Sequence, residues 1–376
     1  MQYLAVLGRQ PKISLAELES LFHEVRPLGA TSGRAQSGQT ATALATFQSD
    51  TQPNLNRLGG TVKLAQKLDG PVLNFLMNLP EEGKLTFGLS DYTPGATTAS
   101  THKEAMRLKK TLTRHGRSVR TLYHTSPVLS SATVHHNQLG EKPLHFELIK
   151  LGRDWYLGLG VQNITAYAKR DQARPARDAK VGMLPPKLAQ ILINLCGPLP
   201  AGTTLLDPFC GTGVLLQEAL LMGYRVVGSD VSDRMIKYTE KNLAWLGHSA
   251  EALLVGDATT TAWPAVGAVA CETYLGPPMS APPADLKLKT VRAECGHLAL
   301  GFLKNLAPQL RPGTPVVLAV PAWRRTDGTY SRLNILDEIT EMGYNVVKYQ
   351  NLGQRDMLYF RDGQVVAREI IALRKK

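Results

Sequence analysis

Cysteine is scarce in this chain of 376 residues: Cys196, Cys210, Cys271 and Cys295 lie far apart and form no CxxC pair. That spacing argues against a disulfide framework or a zinc site, so no metal is expected and a reduced, cytoplasmic setting fits. Long apolar runs are also missing. No stretch approaches the roughly 20 apolar residues that span a bilayer, so no membrane partner is expected. The opening MQYLAVLGRQPK has neither a basic n-region nor a long apolar h-region, which argues against a secretory signal. No internal repeat and no low-complexity tract is found. Acidic residues are the minority charge, 31 against 43 basic, for a net +12. Residues 1–170 hold 20 basic and 12 acidic residues, a balance of +8; the remaining 206 hold 23 and 19, a balance of +4. A basic excess concentrated in one half suggests a polyanionic partner, most simply nucleic acid.

Along the first half, YLAVLG reads as a strand and SLAELESLF as a short helix with Ser14 as its N-cap. Residues 29–43 are small and polar, a loop pattern. KEAMRLKKTLTR (103–114) has a helix pattern with apolar Met106, Leu108 and Leu112. HFELIKLGRDWYLGLGVQ reads as a hairpin turning at Gly152-Arg153-Asp154. Residues 163–186 are polar and charged and read as a linker before Pro185-Pro186. From Pro186 onward strands and helices alternate, which implies a mostly parallel, doubly wound sheet. The last two predicted strands, NVVKYQNL and VVAREIIALRK, have no helix between them and imply an antiparallel hairpin at one edge.

Within that half, LLDPFCGTGVLLQEALLMGYRVVGSD (205–230) joins a strand, an acidic glycine turn, a helix and a second strand ending in Asp230. Ligands of such sheets bind beyond the C-terminal strand ends. Gly211 and Gly213 let backbone approach a ligand closely, and Asp230 suits a ribose with two free hydroxyls. A nicotinamide or flavin dinucleotide is disfavoured. The G-x-G-x-x-G pattern fails at Leu216, and Asp207 would repel a pyrophosphate. A carboxylate there suits instead the positive amino-acid end of S-adenosyl-L-methionine. Gly256-Asp257-Ala258 closes a third strand with an acceptor for an adenine amine.

DPFCGTG resembles motif I of methyltransferases that modify exocyclic amines. RDQARPARDAKVGMLPPKLAQILINL (170–195) resembles the preceding segment of the archaeal and eukaryotic position-10 group of tRNA guanosine N2-methyltransferases. MQYLAVLGRQPKISLAELESL, LGGTVKLAQ, LKKTLTRHGRSVR and LSSATVHHNQL are similar to that group's N-terminal region. The resemblance implies an α/β fold: a class I, Rossmann-like sheet of seven strands, the seventh antiparallel between the fifth and sixth, plus an N-terminal α+β region. The implied divisions are a ferredoxin-like part (1–50), a THUMP-like RNA-binding domain (51–165), a linker (166–186) and the methyltransferase domain (187–376). It implies that Asp207, Pro208, Phe209, Gly211, Gly213, Asp230, Asp257 and Ala258 hold the cofactor, and that Arg170, Arg174, Arg177 and Asp178 cover it or link the domains. tRNA is the implied partner. Eukaryotic members resemble two-subunit enzymes, but nothing in this sequence shows a need for an accessory subunit.

Lys103, Arg107, Lys110, Arg114 and Arg117 recur at spacings of three or four, so several share one helix face suited to RNA phosphates. After the fourth strand the family has an Asp/Asn-Pro-Pro-Tyr/Phe loop, whose acid and backbone carbonyl accept from the target amine while the ring stacks on the flipped base. This chain departs from it with CETYLGPPM (271–279). In one register Glu272 is the acid and Tyr274 the ring, one position early. In the other, Pro277 and Pro278 match the prolines, with Gly276 at the acid and Met279 at the ring. The first puts a carboxylate at the strand end and is preferred. The rival to a tRNA guanine-N2 methyltransferase is a non-catalytic tRNA-binding protein with a relic pocket. A DNA amino-methyltransferase would leave the N-terminal half unexplained.

Overall fold

The computed structural model describes residues 1–31, 42–178 and 184–376. Most of the small, polar 29–43 segment and the KVGM part of the segment before motif I lie outside the described residues. Two units emerge: Met1–Asn56 with Gly60–Asn163, and Arg57–Gly59 with Ile164–Lys376.

The first unit contains β1 (Gln2–Leu7), α1 (Pro11–Leu21), β2 (His23–Thr31), β3 (Thr42–Gln48), β4 (Thr61–Lys67), α2 (Val72–Met77), β5 (Leu85–Asp91), α3 (Thr98–Arg114), β6 (Val119–Thr121), α4 (Ser131–His136), β7 (His145–Leu151) and β8 (Asp154–Val161). They form one sheet ordered β2-β3-β1-β4-β8-β7-β5-β6. Because β1 pairs with both β3 and β4, the expected division at residue 50 falls inside a single sheet. Pro11, not Ser14, opens α1; Ser14 is buried and its hydroxyl donates to Gln10 O. The β7–β8 hairpin turns where the sequence placed it, with Leu151 opposite Asp154.

Helix α3 starts with a reciprocal cap: Ser100 N donates to Thr97 Oγ1 at 3.1 Å and Thr97 N to Ser100 Oγ at 3.0 Å. Thr101, Ala105, Leu108 and Leu112 form its buried stripe, whereas Met106 is exposed. The opposite face carries Lys103, Arg107, Lys110 and Arg114. Arg117 does not join them. The helix ends at Arg114, Gly116 takes a φ of 81°, and the buried Arg117 donates to Leu79 O at 2.7 Å.

The second unit contains α5 (Ile164–Gln172), α6 (Pro186–Leu195), β9 (Thr204–Asp207), α7 (Val214–Leu221), β10 (Arg225–Asp230), α8 (Asp233–Trp245), β11 (Ala252–Val255), β12 (Ala268–Glu272), α9 (Asp285–Leu306), β13 (Pro315–Arg324), β14 (Tyr330–Ser331), α10 (Leu336–Glu341), β15 (Tyr344–Val346), β16 (Leu358–Tyr359) and β17 (Val366–Lys375). Its sheet runs β11-β10-β9-β12-β13-β17-β15. β9 to β13 are parallel, and β17 is antiparallel to both β13 and β15. Numbered along the chain, this is the 3-2-1-4-5-7-6 order of the class I methyltransferase sheet. The expected antiparallel pair is there, with β15 at the edge and β17 inside the sheet between β13 and β15, where its apolar run is covered on both faces.

The expected linker is also corrected. Its first part is helix α5, and its charges are satisfied within the second unit. Arg170 clamps the buried Glu218 at 2.6 and 3.2 Å, Arg174 donates to Thr212 Oγ1, Ala176 exchanges hydrogen bonds with Asn242, and Asp178 pairs with Arg234. No helix among the described residues is long and apolar enough to cross a membrane.

Candidate functional site

A cavity of about 480 Å³ opens beyond the C-terminal tips of β9, β10, β11 and β12. Every predicted cofactor residue except Gly213 lines it, and Gly213 shapes its wall. Gly211 (φ 52°) leaves its backbone bare toward the cavity; Gly213 (φ 81°) has no room for a side chain, because a Cβ would lie 2.9 Å from Thr239. Thr239 Oγ1 donates to Gly211 O, pinning the turn to α8.

Asp207 is fully buried at the tip of β9, where Oδ1 accepts from Phe209 N at 3.1 Å. Burial pushes its carboxyl well above the usual range; the Phe209 N–H opposes that, and Asp230 and Glu272 push it further. Asp230 is committed on both oxygens: Oδ2 accepts from Gly211 N and Oδ1 from Ser232 N, each at 2.9 Å. Asp257 is exposed, and its Oδ1 accepts from Thr259 N and Thr259 Oγ1, both at 2.8 Å, which holds its pKa down. Ala258 beside it is buried. Phe209 packs edge-on against Phe302.

Asp207 yields one consequence. An acid whose folded pKa is raised stabilises the fold fully below its ordinary range. That contribution is lost as pH rises toward the raised value. Asp207→Asn is therefore expected to raise the melting temperature of the ligand-free protein at neutral pH by roughly 2–4 °C. The gain should vanish near pH 4, as differential scanning fluorimetry across pH would show.

The tip of β12 carries Glu272, whose Oε1 accepts from Arg368 Nε at 2.8 Å. Both side chains are largely withdrawn from solvent, 12% and 7% exposed. Burial raises the Glu272 pKa and Arg368 opposes that rise. Thr273 is buried against β13, while Tyr274, 49% exposed, stands at the cavity rim. Met279 packs against the core of the sheet, so the second register would send its ring position into the core. Sequence reading missed Arg368. Its only signal is a charged pair, Arg368-Glu369, set directly before the apolar run Ile370 to Leu373 of the same strand. On the first unit, Arg107 is bound to Glu104 at 3.0 and 2.8 Å, whereas Lys103, Lys110 and Arg114 are exposed and form no ion pair among the described residues.

Comparison with known proteins places this geometry. The chain is 33% identical over 153 residues to the tRNA (guanine(10)-N2)-dimethyltransferase of Methanothermobacter thermautotrophicus, covering 40% of this chain and 43% of the relative. The enzyme of the same name from Pyrococcus abyssi is 32% identical over 119 residues, 31% and 35% of the two chains. The matches thus span less than half the length of these relatives. The crystal structure of TrmN from Thermus thermophilus aligns over the full length of both chains, at 17% identity and a TM-score of 0.46. The strand order identifies the fold without it. Residues 174–267, which carry the glycine turn and the first three strand tips, match the model described as RMKL-like, methyltransferase domain, and the second unit that contains them has the class I strand order.

Proposed function

We propose that the protein transfers a methyl group from S-adenosyl-L-methionine to the exocyclic N2 amine of a guanosine in tRNA, at position 10 as the relatives' names indicate, in the cytoplasm. The observation that carries this reading is the set of acids at the tips of β9, β10 and β12 around one glycine turn, with Tyr274 at the rim. A dinucleotide would bring a pyrophosphate against Asp207. A donor with an ammonium and a sulfonium brings positive charge to it, which fits a buried carboxyl surrounded by other acids.

When bound, the cofactor supplies an activated methyl group on a positively charged sulfur. The chain does the rest. Asp207 would hold the cationic end, Asp230 the ribose hydroxyls, and the Asp257-Ala258 turn the adenine edge. Guanine N2 is a poor nucleophile because its lone pair is delocalised into the ring. Glu272 Oε2, which has no hydrogen-bond partner among the described residues, would accept an N–H as the nitrogen becomes tetrahedral and cationic. Tyr274 would stack on the extruded base. Fixing the amine in line for attack supplies much of the rate.

Incubation with labelled cofactor and bulk tRNA, followed by nucleoside mass mapping, tests the reading. N2-methylated guanosine is the expected product. tRNA binding without transfer would favour the non-catalytic rival, and transfer to DNA alone would overturn the RNA assignment.

Lys103, Lys110 and Arg114 on α3 support a role for the first unit in holding RNA phosphates. Reversing two of them, Lys110→Glu with Arg114→Glu, should weaken tRNA binding about tenfold or more at low salt. It should flatten the log–log salt dependence by about one to two units. Filter binding across salt concentrations checks this, and Arg117→Gln should leave the salt slope unchanged.

A further inference from the structure

Glu272 replaces the shorter Asp or Asn of the family loop, and it does not stand alone. Its Oε1 is held at 2.8 Å by Arg368, a residue 96 positions later, on the inserted strand β17. The register explains the meeting. Glu272 lies beside Ala319 of β13, and Arg368 lies opposite Pro321 of the same strand, so the two side chains reach toward each other across β13. Among the residues lining the cavity are Glu272 and the loop that follows β12, Thr273 to Gly276, but not Arg368. The arginine therefore acts on the cavity through the carboxylate.

We propose that Arg368 is a positioning residue for the methyl-acceptor site: by holding Glu272 Oε1 from β17, it fixes the carboxylate and leaves Oε2 presented to the incoming amine. This rests on the guanine-amine reading above and adds to it the residue that makes the departed loop workable.

The surroundings of Glu272 require such a partner. From β9 the buried Asp207 faces it, and the charge of Glu272 helps to push the Asp207 carboxyl up. From its own strand the buried Cys271 thiol, itself pushed up, offers no positive charge. From β13 the neighbour is Ala319, which is apolar. Arg368 on β17 is the cation facing it. Without that cation the buried Glu272 would take up a proton at higher pH. A protonated carboxyl has lost much of its capacity to accept from a nitrogen turning cationic. A planar guanidinium also fixes the orientation of the carboxylate more tightly than a flexible ammonium can.

Two measurements separate this from a merely structural role. The first needs no substrate. In protein labelled with ¹³C at glutamate carboxyls, the Glu272 signal is the one missing from Glu272→Gln. Its titration midpoint should rise by at least one pH unit in Arg368→Gln and return to within about half a unit of wild type in Arg368→Lys. The second is the pH profile of single-turnover methyl transfer. Arg368→Gln should lose about 30-fold in rate at pH 7, recover in part at pH 9, and leave cofactor affinity unchanged. Arg368→Lys should restore the pH limb but only part of the rate. Adding Arg368→Gln to Glu272→Gln should cost nothing further. An unchanged Glu272 midpoint in Arg368→Gln, or an equal loss at every pH, would overturn the proposal. If Arg368→Gln fails to fold, Arg368→Lys alone decides: a wild-type rate would rule out guanidinium positioning. A wild-type enzyme that transfers nothing to tRNA, with the midpoint shift intact, would sink the substrate assignment and keep the pair.

Discussion

Glu272→Ala is expected to lower single-turnover methyl transfer to tRNA by about three orders of magnitude while leaving cofactor affinity within about threefold. The size follows from what the carboxylate can do at the tip of β12. A delocalised amine gains reactivity only as its nitrogen becomes tetrahedral, and positive charge grows there beside a carboxylate that is largely withdrawn from solvent. An acceptor fixed beside that nitrogen stabilises the transition state more than the ground state, so its loss falls on the rate. Cofactor affinity should hold because the acids at the tips of β9, β10 and β11 remain. Alanine also leaves Arg368 buried without its partner, which costs about 3–5 kcal/mol in comparable buried pairs. Glu272→Gln therefore belongs beside it. The amide keeps the volume and one acceptor oxygen, so a melting temperature near wild type with a rate still down by about a hundredfold would assign the effect to chemistry. Glu272→Asp withdraws the carboxylate by about 1.5 Å and should fall between, since misplacement by about 1 Å can cost a hundredfold. Rapid-quench methylation and calorimetry read both quantities. A rate for Glu272→Ala within tenfold of wild type would remove Glu272 from the reaction and reopen the loop register.

The glycine turn, its acids and the alternation that builds the parallel sheet are local features, fixed within some 25 residues of one another, and so could be read along the chain. Asp207, Gly211 and Asp230 meet because one strand–helix–strand unit brings consecutive strand tips together. What could not be read depends on partners distant in sequence. The polar stretch after residue 163 has the composition of a linker. Its charges become structural only through Glu218, Thr212, Asn242 and Arg234, which no local pattern announces. Arg368 escaped for the same reason. Arg117 failed differently: its position continues the helical period of α3, but Gly116 with positive φ has already ended the helix. The place of β17 was partly legible, since ten residues with so many apolar side chains suit an interior strand better than an edge.

Asp230→Ala should weaken binding of S-adenosyl-L-methionine or its demethylated product about a hundredfold, and Asp257→Ala only about three- to tenfold. Asp230 ends β10 and Asp257 follows the end of β11 by two residues; both were read as cofactor ligands, but the fold treats them differently. Asp230 joins two tasks. Its Oδ2 holds Gly211 N, which sets the glycine turn, and its Oδ1 holds Ser232 N at the start of α8. Each carboxylate oxygen retains a second acceptor site, so a ribose diol can still be bound. Removing the side chain therefore deletes a ligand contact and loosens the turn that lets backbone approach the ligand. Hydrogen bonds to a charged group contribute about 1.5–3 kcal/mol, and about 2.7 kcal/mol corresponds to a hundredfold in affinity. Asp257 is exposed and its Oδ1 is engaged by Thr259, so it offers a ligand one oxygen in a screened setting. Asp230→Asn should be harmful out of proportion to its size, because its amide must turn an N–H toward either Gly211 N or Ser232 N. Calorimetric titration of the three variants ranks them. If Asp257→Ala proved the more damaging, the adenine edge rather than the ribose would dominate recognition. If all three bound like wild type, the acids at the strand tips would not be the cofactor's cradle.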